Sequence, residues 1–151
     1  MSPTIERLAP EAAETLETVR RGLADSNRVR LLAQGKDLAM MQPHDLCLAA
    51  RGAGRALLGG LIGQVKWNWL YVDILWVGET SRGQGVGAAL LARAEREALA
   101  LGAVGSWLMS TSFEAQDYYP RQGYTRFACL DDYAQDGSLA MFRKRLRVEK
   151  D

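Results

Sequence analysis

The chain has few of the residues that bind metals or build disulfide frameworks. Its 151 residues include two cysteines and one histidine. Cys47 and Cys129 form no CxxC pair and lie in apolar runs, so they are expected to be buried free thiols. These counts disfavour a zinc site, and no metal is expected. His44 lies in a turn-like stretch, which favours a surface loop over a place in a catalytic triad.

The sequence also lacks a strong charge and a long apolar run. The formal net charge is +1 and 48% of the residues are hydrophobic, so bulk electrostatics indicates neither a nucleic-acid nor a membrane partner. No apolar run is long enough to span a bilayer, and the N-terminus carries no signal-like segment. A single cytoplasmic domain covering residues 1–151 is therefore expected.

The chain does contain a regular succession of predicted helices and strands. A weak strand is predicted at 4–8, a helix from Pro10 to about Asp25, and a short helix within 28–41. The later predictions are strands at 45–51, 55–67 and 69–77, a helix after residue 85, a strand at 106–111, a helix at 113–119 and strands at 124–130 and 138–146. The helix between strands 69–77 and 106–111 predicts that these two are parallel.

The most informative segment is Leu70–Leu101, in which a strand leads through a glycine-rich loop into a long helix. Backbone N–H groups at a helix N-terminus bind phosphate oxygens. A dinucleotide fold would need an acidic residue after the next strand, where the chain has Met109–Thr111. A mononucleotide P-loop would need a lysine after the glycines, and none is present. A tight turn with glycines for geometry alone stays open.

Two motifs resemble those of the GNAT superfamily of acyl-CoA N-acyltransferases. Residues 82–87, Arg-Gly-Gln-Gly-Val-Gly, resemble its [QR]xxGx[GA] pyrophosphate loop, and residues 115–124 resemble its Ala-x-x-Phe-Tyr-x-Lys-x-Gly-Phe motif. The resemblance implies an α/β (mixed α+β) fold. Its central mixed sheet would have about six to seven strands and about four flanking helices, with a splay between the strand 69–77 and the strand 106–111.

The resemblance further implies acetyl-CoA as cofactor. Tyr119 aligns with the family's frequent general acid, which protonates the departing thiolate, while Tyr118, at the Phe position, is expected to pack in the core. Ser112 replaces an asparagine that contacts the cofactor, which is a departure from the family pattern. The implied cofactor contacts are Leu75, Trp76, Val77, Arg82, Gly83, Gln84, Gly85, Val86, Gly87, Ser112 and Tyr119.

The acceptor side is less defined. Asp73 is a lone carboxylate within a strand, so it is either the base that deprotonates the amine or a structural residue, with Glu79 as second choice for the base. The period of two predicts that residues 69, 71, 73, 75 and 77 share one face. An aromatic wall for the acceptor and ordinary sheet packing both stay open. The expected acceptor residues are Asn27, Trp67, Trp69, Tyr71, Asp73 and Tyr133.

The implied activity is direct transfer of an acetyl group to a primary amine of a small molecule or peptide, in a ternary complex. Neither cysteine lies near the motifs, so no covalent enzyme intermediate is expected. A non-catalytic acyl-CoA sensor and a nucleotide-binding oxidoreductase are the alternatives. The chain is expected to be a monomer or homodimer.

Overall fold

The structure is a computed structural model that describes residues 2–146, and the chain divides after Ala39 into two compact units. The first unit contains helix α1 (Ala13–Ala33). The predicted strand at 4–8 is wrong: these residues adopt no regular structure, and the described part of this unit holds no strand to pair with them. None of the described helices is long and apolar enough to cross a membrane.

Helix α1 continues well past its predicted end. It runs through Gly22 and Asp25 without interruption, so the separate helix predicted within 28–41 is its last two turns, followed by a 3-10 turn at Leu38–Met41. A glycine inside a helix costs only about 1 kcal/mol relative to alanine. The arginines, leucines and alanine of residues 28–33 are good helix formers, and Arg30 lies in the last turn, where the helix dipole favours a cation.

The second unit contains a six-stranded mixed sheet with the order β1-β2-β3-β4-β6-β5. Strands β1, β2 and β3 form an antiparallel meander, β4 is parallel to β3, and β6 is antiparallel to both β4 and β5. The predicted mixed fold is confirmed, although the described residues form three α-helices and not four. The elements are β1 His44–Arg51, β2 Leu57–Lys66, β3 Trp69–Val77, α2 Val86–Ala100, β4 Gly105–Thr111, α3 Tyr118–Arg121, β5 Thr125–Tyr133 and β6 Gly137–Arg145.

The core lies between the sheet and α2. The helix buries Leu90, Leu91, Ala94 and Ala98. Tyr124, which directly precedes β5, connects to both β4 and α2. Its hydroxyl lies 2.9 Å from Ser106 Oγ of β4 and 3.1 Å from Glu95 Oε1 of α2. A second bond to Glu95 comes from Lys144 Nζ at 2.8 Å.

Both cysteines are exposed, so the prediction that they are buried is wrong. Cys47 lies in β1 and Cys129 in β5, which are the two edge strands of the sheet. An apolar sequence context does not bury a residue on an edge strand if its face of the sheet is open. His44 is exposed as predicted, but it is the first residue of β1 and not part of a loop.

A β-bulge at Asp73 changes the face on which β3 places its side chains. Ile62 of β2 pairs with Ile74, but the next residue of β2 pairs with Val72, so Asp73 is the extra residue. Val72 and Leu75 therefore both pack toward the core that α2 covers. The prediction that residues 69, 71, 73, 75 and 77 share one face is wrong, because the period of two is interrupted at residue 73.

Strands β3 and β4 separate beyond the bulge. Their pairing begins at Trp69 with Gly105 and ends at Val72 with Leu108. The rest of β3, up to Val77, pairs with β2 on its other side, and the rest of β4 pairs with β6. The predicted splay between these strands is therefore present, and it leaves the main-chain edge of residues 73–77 open toward β4.

Candidate active site

A cavity of about 760 Å³ lies at the splay and joins three parts of the second unit. The end of β3 contributes Leu75, Trp76 and Val77, which are three of the predicted cofactor contacts. Tyr119 of α3 lies in the same lining. The loop and the start of α2 contribute Arg82, Gly83, Gly85, Val86 and Gly87. Nine of the eleven predicted cofactor residues therefore border one space.

Gln84 and Ser112 do not line this cavity. Gln84 Nε2 donates a hydrogen bond to the carbonyl of Thr80 at 3.2 Å, which stabilises the loop from within. Ser112 Oγ accepts one from the backbone N–H of Ser138 at 3.0 Å, which fastens the end of β4 to β6. Their predicted contacts with the cofactor stay predictions.

The loop needs glycine because its backbone is left-handed. Gly83 has a φ of 74°, and Gly85, the N-cap of α2, has a φ of 80°. Residues with a Cβ adopt this region at a cost, and a glycine offers no side-chain oxygen to cap the helix. The first N–H groups of α2 are thus left for another partner, at the end where the helix dipole is positive. A Cβ on Gly85 would meet nothing within 4 Å, so the space beside it is open.

Gly87 is glycine for a different reason. A Cβ at this position would lie 2.7 Å from the hydroxyl oxygen of Tyr118 and 3.4 Å from Val77 Cγ2. Tyr118 was expected to be a packing residue, but its phenol end reaches the first turn of α2. The absent side chain at residue 87 therefore makes room for a neighbouring residue.

Two guanidinium groups border the cavity. Arg82 Nε donates to the carbonyl of Val77 at 3.2 Å, which holds the start of the loop against the end of β3. Arg121 forms an exposed ion pair with Asp117 at 3.1 Å. Together with the N-terminus of α2, these cations make this end of the cavity suited to an anion.

Helix α3 is shorter than predicted and begins later. It spans Tyr118–Arg121 and includes Pro120, whereas the sequence predicts a helix at 113–119. Proline is tolerated in the first turn of a helix, because the N–H groups there have no intrahelical partner. The residues before it, from Ser112, form turns in which Glu114 Oε1 accepts hydrogen bonds from the backbone N–H of Thr111 at 3.1 Å and from its hydroxyl at 2.6 Å.

The ring of Tyr119 is held by aromatic neighbours. Its centroid lies 5.4 Å from that of Tyr118, 6.1 Å from that of Tyr124 and 5.6 Å from that of Phe142. Burial raises the pKa of Tyr119 to about 12, and the nearby Glu114 carboxylate contributes to the rise. The phenol therefore keeps its proton at neutral pH and lines the cavity as a hydrogen-bond donor.

The predicted acceptor residues lie in three places. Burial raises the pKa of Tyr71, and the nearby Asp73 and Tyr133 each raise it further. Trp69 is on the same face of β3 as Tyr71, beneath the guanidinium of Arg145 at 5.5 Å from the ring centroid.

Trp67 and Asn27 belong to other parts of the chain. Trp67 is in the β2–β3 turn with a φ of 55°, and Lys66 Nζ lies 5.6 Å from its ring centroid. Asn27 lies within α1, in the first unit. The roles of both stay predictions.

Sequence reasoning missed several residues of the site. Trp107 of β4 packs against Tyr71 in a tilted arrangement with centroids 4.6 Å apart, and the parallel register that pairs them was not predictable in detail. Ser110, Glu114 and Arg121 line the cavity. Arg121 occupies the Lys position of the second motif, which was the available signal for it.

A glycine loop at a helix N-terminus, beside a splayed pair of parallel strands, defines an acyl-CoA N-acyltransferase type of fold. The acetyltransferase (GNAT) family profile matches residues 12–124. The chain therefore belongs to this family of acyl-transferring enzymes.

Individual relatives agree with this assignment. The chain is 45% identical over 85 residues to the blasticidin-S acetyltransferase of Streptomyces morookaense, a match that covers 56% of this chain and 62% of that one. It is 32% identical over 133 residues to an acetyltransferase of Agrobacterium fabrum, covering 88% and 92% of the two chains. A crystal structure of an acetyltransferase from Bacillus cereus is similar with a TM-score of 0.75 and 26% identity, over 95% of this chain and 97% of the other. The match to the first relative thus spans less than two thirds of its length.

Proposed function

We propose that this chain transfers the acetyl group of acetyl-CoA to a primary amine of a small molecule or peptide. The observation that carries the proposal is the single cavity of about 760 Å³ that joins the N-terminus of α2, the open edge of β3 and Tyr119. A CoA thioester has a pyrophosphate, an amide-rich arm and a reactive sulfur in that order. The anion-suited loop, the open strand edge and the buried phenol fit these three parts.

The cavity would hold the cofactor mainly through main-chain groups. The first N–H groups of α2 would donate to the pyrophosphate, with Arg82 and Arg121 adding positive charge. The open edge of residues 73–77 would pair with the amides of the arm as a neighbouring strand does. The bound thioester supplies the activated acetyl group, and the protein supplies its orientation.

Tyr119 is proposed to donate a hydrogen bond from its hydroxyl to the sulfur as negative charge develops there. With a pKa of about 12, the phenol is a weaker acid than a free tyrosine. Complete transfer of its proton to a thiolate of pKa about 8.5 would cost roughly 5 kcal/mol. We therefore assign it a late or partial proton donation, which still stabilises the leaving group.

Asp73 is proposed as the group that accepts the proton of the acceptor ammonium. A lysine-like amine has a pKa of about 10.4, so it must lose a proton before it attacks. Asp73 is exposed and lies at the point where β3 and β4 begin to separate. No covalent enzyme intermediate is proposed, because neither cysteine lines the cavity.

The acceptor is proposed to be a small antibiotic-like amine. The first observation in support of this class is the 45% identity to a blasticidin-S acetyltransferase. The second is the Tyr71–Trp107 pair with Asp73 near Tyr71, because aromatic rings and a carboxylate suit a molecule that has a ring and a cation. The test is a thiol-release assay with acetyl-CoA against blasticidin S, streptothricins, aminoglycosides, polyamines and peptides. We expect turnover with at least one small-molecule amine.

A matched variant makes the assay decisive. Gly85→Glu places bulk and negative charge at the open N-cap of α2, so CoA binding and turnover should both be lost. Retained binding would put the pyrophosphate elsewhere. CoA that raises the melting temperature without any amine-dependent thiol release would instead support a sensor, and NADH binding without CoA binding would support an oxidoreductase.

A further inference from the structure

Two hydroxyl groups of the cavity have no hydrogen-bond partner. Among residues 2–146, the buried side-chain oxygens without a partner are those of Ser110 and Tyr118. Both residues line the cavity described above. A buried hydroxyl has given up its water, and without a new partner that loss is uncompensated. Two such groups in one cavity indicate that a ligand completes them.

Ser110 lies on the wall of the splay. It is two residues beyond Leu108, the last residue of β4 that pairs with β3, and its residue exposure is only 1%. The period of two places its side chain on the same face as Leu108, which belongs to the buried core beneath α2. Its carbonyl accepts a hydrogen bond from Gln116 Nε2 at 2.7 Å, and the residue pairs with Ala140 of β6. Its hydroxyl has no partner.

Tyr118 lies where the first turn of α2 borders the cavity. Its hydroxyl oxygen occupies the position where a side chain of Gly87 would begin, beside the first turn of α2. In a helix the Cα–Cβ bond tilts toward the N-terminus, so the phenol oxygen lies on the side of Gly87 that faces the free N–H groups. Burial raises the pKa of Tyr118, which keeps the hydroxyl protonated.

We propose that these two hydroxyls are ligands of the CoA cofactor, each for a different part of it. Ser110 donates a hydrogen bond to a carbonyl of the pantetheine arm within the splay. Tyr118 donates one to an oxygen of the pyrophosphate, beside the N–H groups of α2. The inference rests on the proposed function, because it assumes that CoA occupies this cavity.

Fragments of the cofactor separate the two contacts. Dissociation constants would be measured by calorimetry for CoA, and by competition for ADP, which has the pyrophosphate without the arm, and for pantetheine, which has the arm without the pyrophosphate. Ser110→Ala should weaken CoA and pantetheine about 3- to 10-fold and leave ADP unchanged. Tyr118→Phe should weaken CoA and ADP about 10-fold and leave pantetheine unchanged, because the lost bond was to a charged oxygen.

Stability without ligand distinguishes a binding role from a structural one. Ser110→Ala removes a hydroxyl that has no partner, so the urea midpoint of the free protein should stay the same or rise. Ser106→Ala is the matched control, since Ser106 is a fully buried serine of the same strand and face whose oxygen is bonded to the Tyr124 hydroxyl. That variant should lower the midpoint and leave the affinity for pantetheine unchanged in the folded protein.

The outcomes separate this inference from the proposed function. If the wild-type chain binds CoA but both cavity variants bind all three probes equally well, the inference is overturned and the proposed function stands. The inference is also overturned if Ser110→Ala destabilises the free protein as much as Ser106→Ala does. If the wild-type chain binds no CoA, the proposed function fails and the inference fails with it.

Discussion

Replacing Gly87 with alanine should destabilise the protein through one contact. The new Cβ would lie 2.7 Å from the Tyr118 oxygen, so the phenol or the first turn of α2 must shift. The tyrosine ring is packed edge-on against Tyr119 with centroids 5.4 Å apart, which limits its movement. Overpacking of this kind costs about 1–3 kcal/mol, whereas the better helix propensity of alanine returns less than about 1 kcal/mol. The net loss should be about 1–2 kcal/mol.

The same substitution should change sign when Tyr118 is phenylalanine. The atom at 2.7 Å is then absent, and the next neighbours, at 3.4 Å, are in ordinary contact. Only the propensity gain is left, so Gly87→Ala should be neutral or stabilising in the Tyr118→Phe background. The coupling between the two substitutions should therefore be about 1–3 kcal/mol.

Urea unfolding followed by circular dichroism, without ligand, measures all four proteins of this double-mutant cycle. Gly22→Ala is the control for propensity alone, because this glycine is also within a helix and a Cβ there would meet nothing within 4 Å. Additive effects of the Gly87 and Tyr118 substitutions, or a Gly87→Ala variant more stable than wild type, would refute the steric argument.

Three further predictions concern Tyr119 and Asp73, the proposed acid and base. Tyr119→Phe should lower kcat about 100-fold with a KM for acetyl-CoA within a factor of two, and an unchanged kcat in the thiol-release assay removes it from the acid role. Asp73→Asn should lower kcat at least tenfold at pH 7 and less at pH 9, where more of the amine is already neutral; equal losses at both would indicate a structural residue. The pKa of Tyr119 is about 12 in the folded protein, compared with 10.0 for an ordinary tyrosine. Its contribution to the free energy of unfolding is therefore complete below pH 10 and is lost as the pH rises toward 12. Between pH 10 and pH 12 the urea midpoint of Tyr119→Phe should therefore fall less than that of the wild type. The same dependence on pH in both proteins would contradict the raised pKa of Tyr119.

Much of the fold could be predicted because it depends on local patterns. The strand predicted at 69–77 and the glycine loop before a helix are short-range signals, and the structure contains both. The early end predicted for α1 is wrong, because a helix forms cooperatively. The helix-forming residues on both sides of Gly22 and Asp25 outweigh the unfavourable propensity of these two residues.

The errors within the site have a common physical origin. The bulge at Asp73 is a feature of how β3 pairs with β2, and the exposure of Cys47 depends on which strands are edges. The unpartnered hydroxyls of Ser110 and Tyr118 depend on what packs around them. These are properties of pairs of elements, and a single sequence read along its length does not contain them.

The bulge also explains how one strand can border both the proposed cofactor site and the proposed acceptor site. Before Asp73, β3 is paired with β4 and places Tyr71 on the face that carries Trp107. After Asp73, Leu75 lies on the face that α2 covers, and the edge of β3 toward β4 is open. Without the extra residue, Leu75 would point to the same face as Tyr71 and leave the core. The proposed donor and acceptor sites thus meet at the residue where the sheet both changes face and opens. Asp73 is the residue that the bulge leaves unpaired, and its side chain is exposed to solvent. An aspartate within a strand therefore costs little at this position.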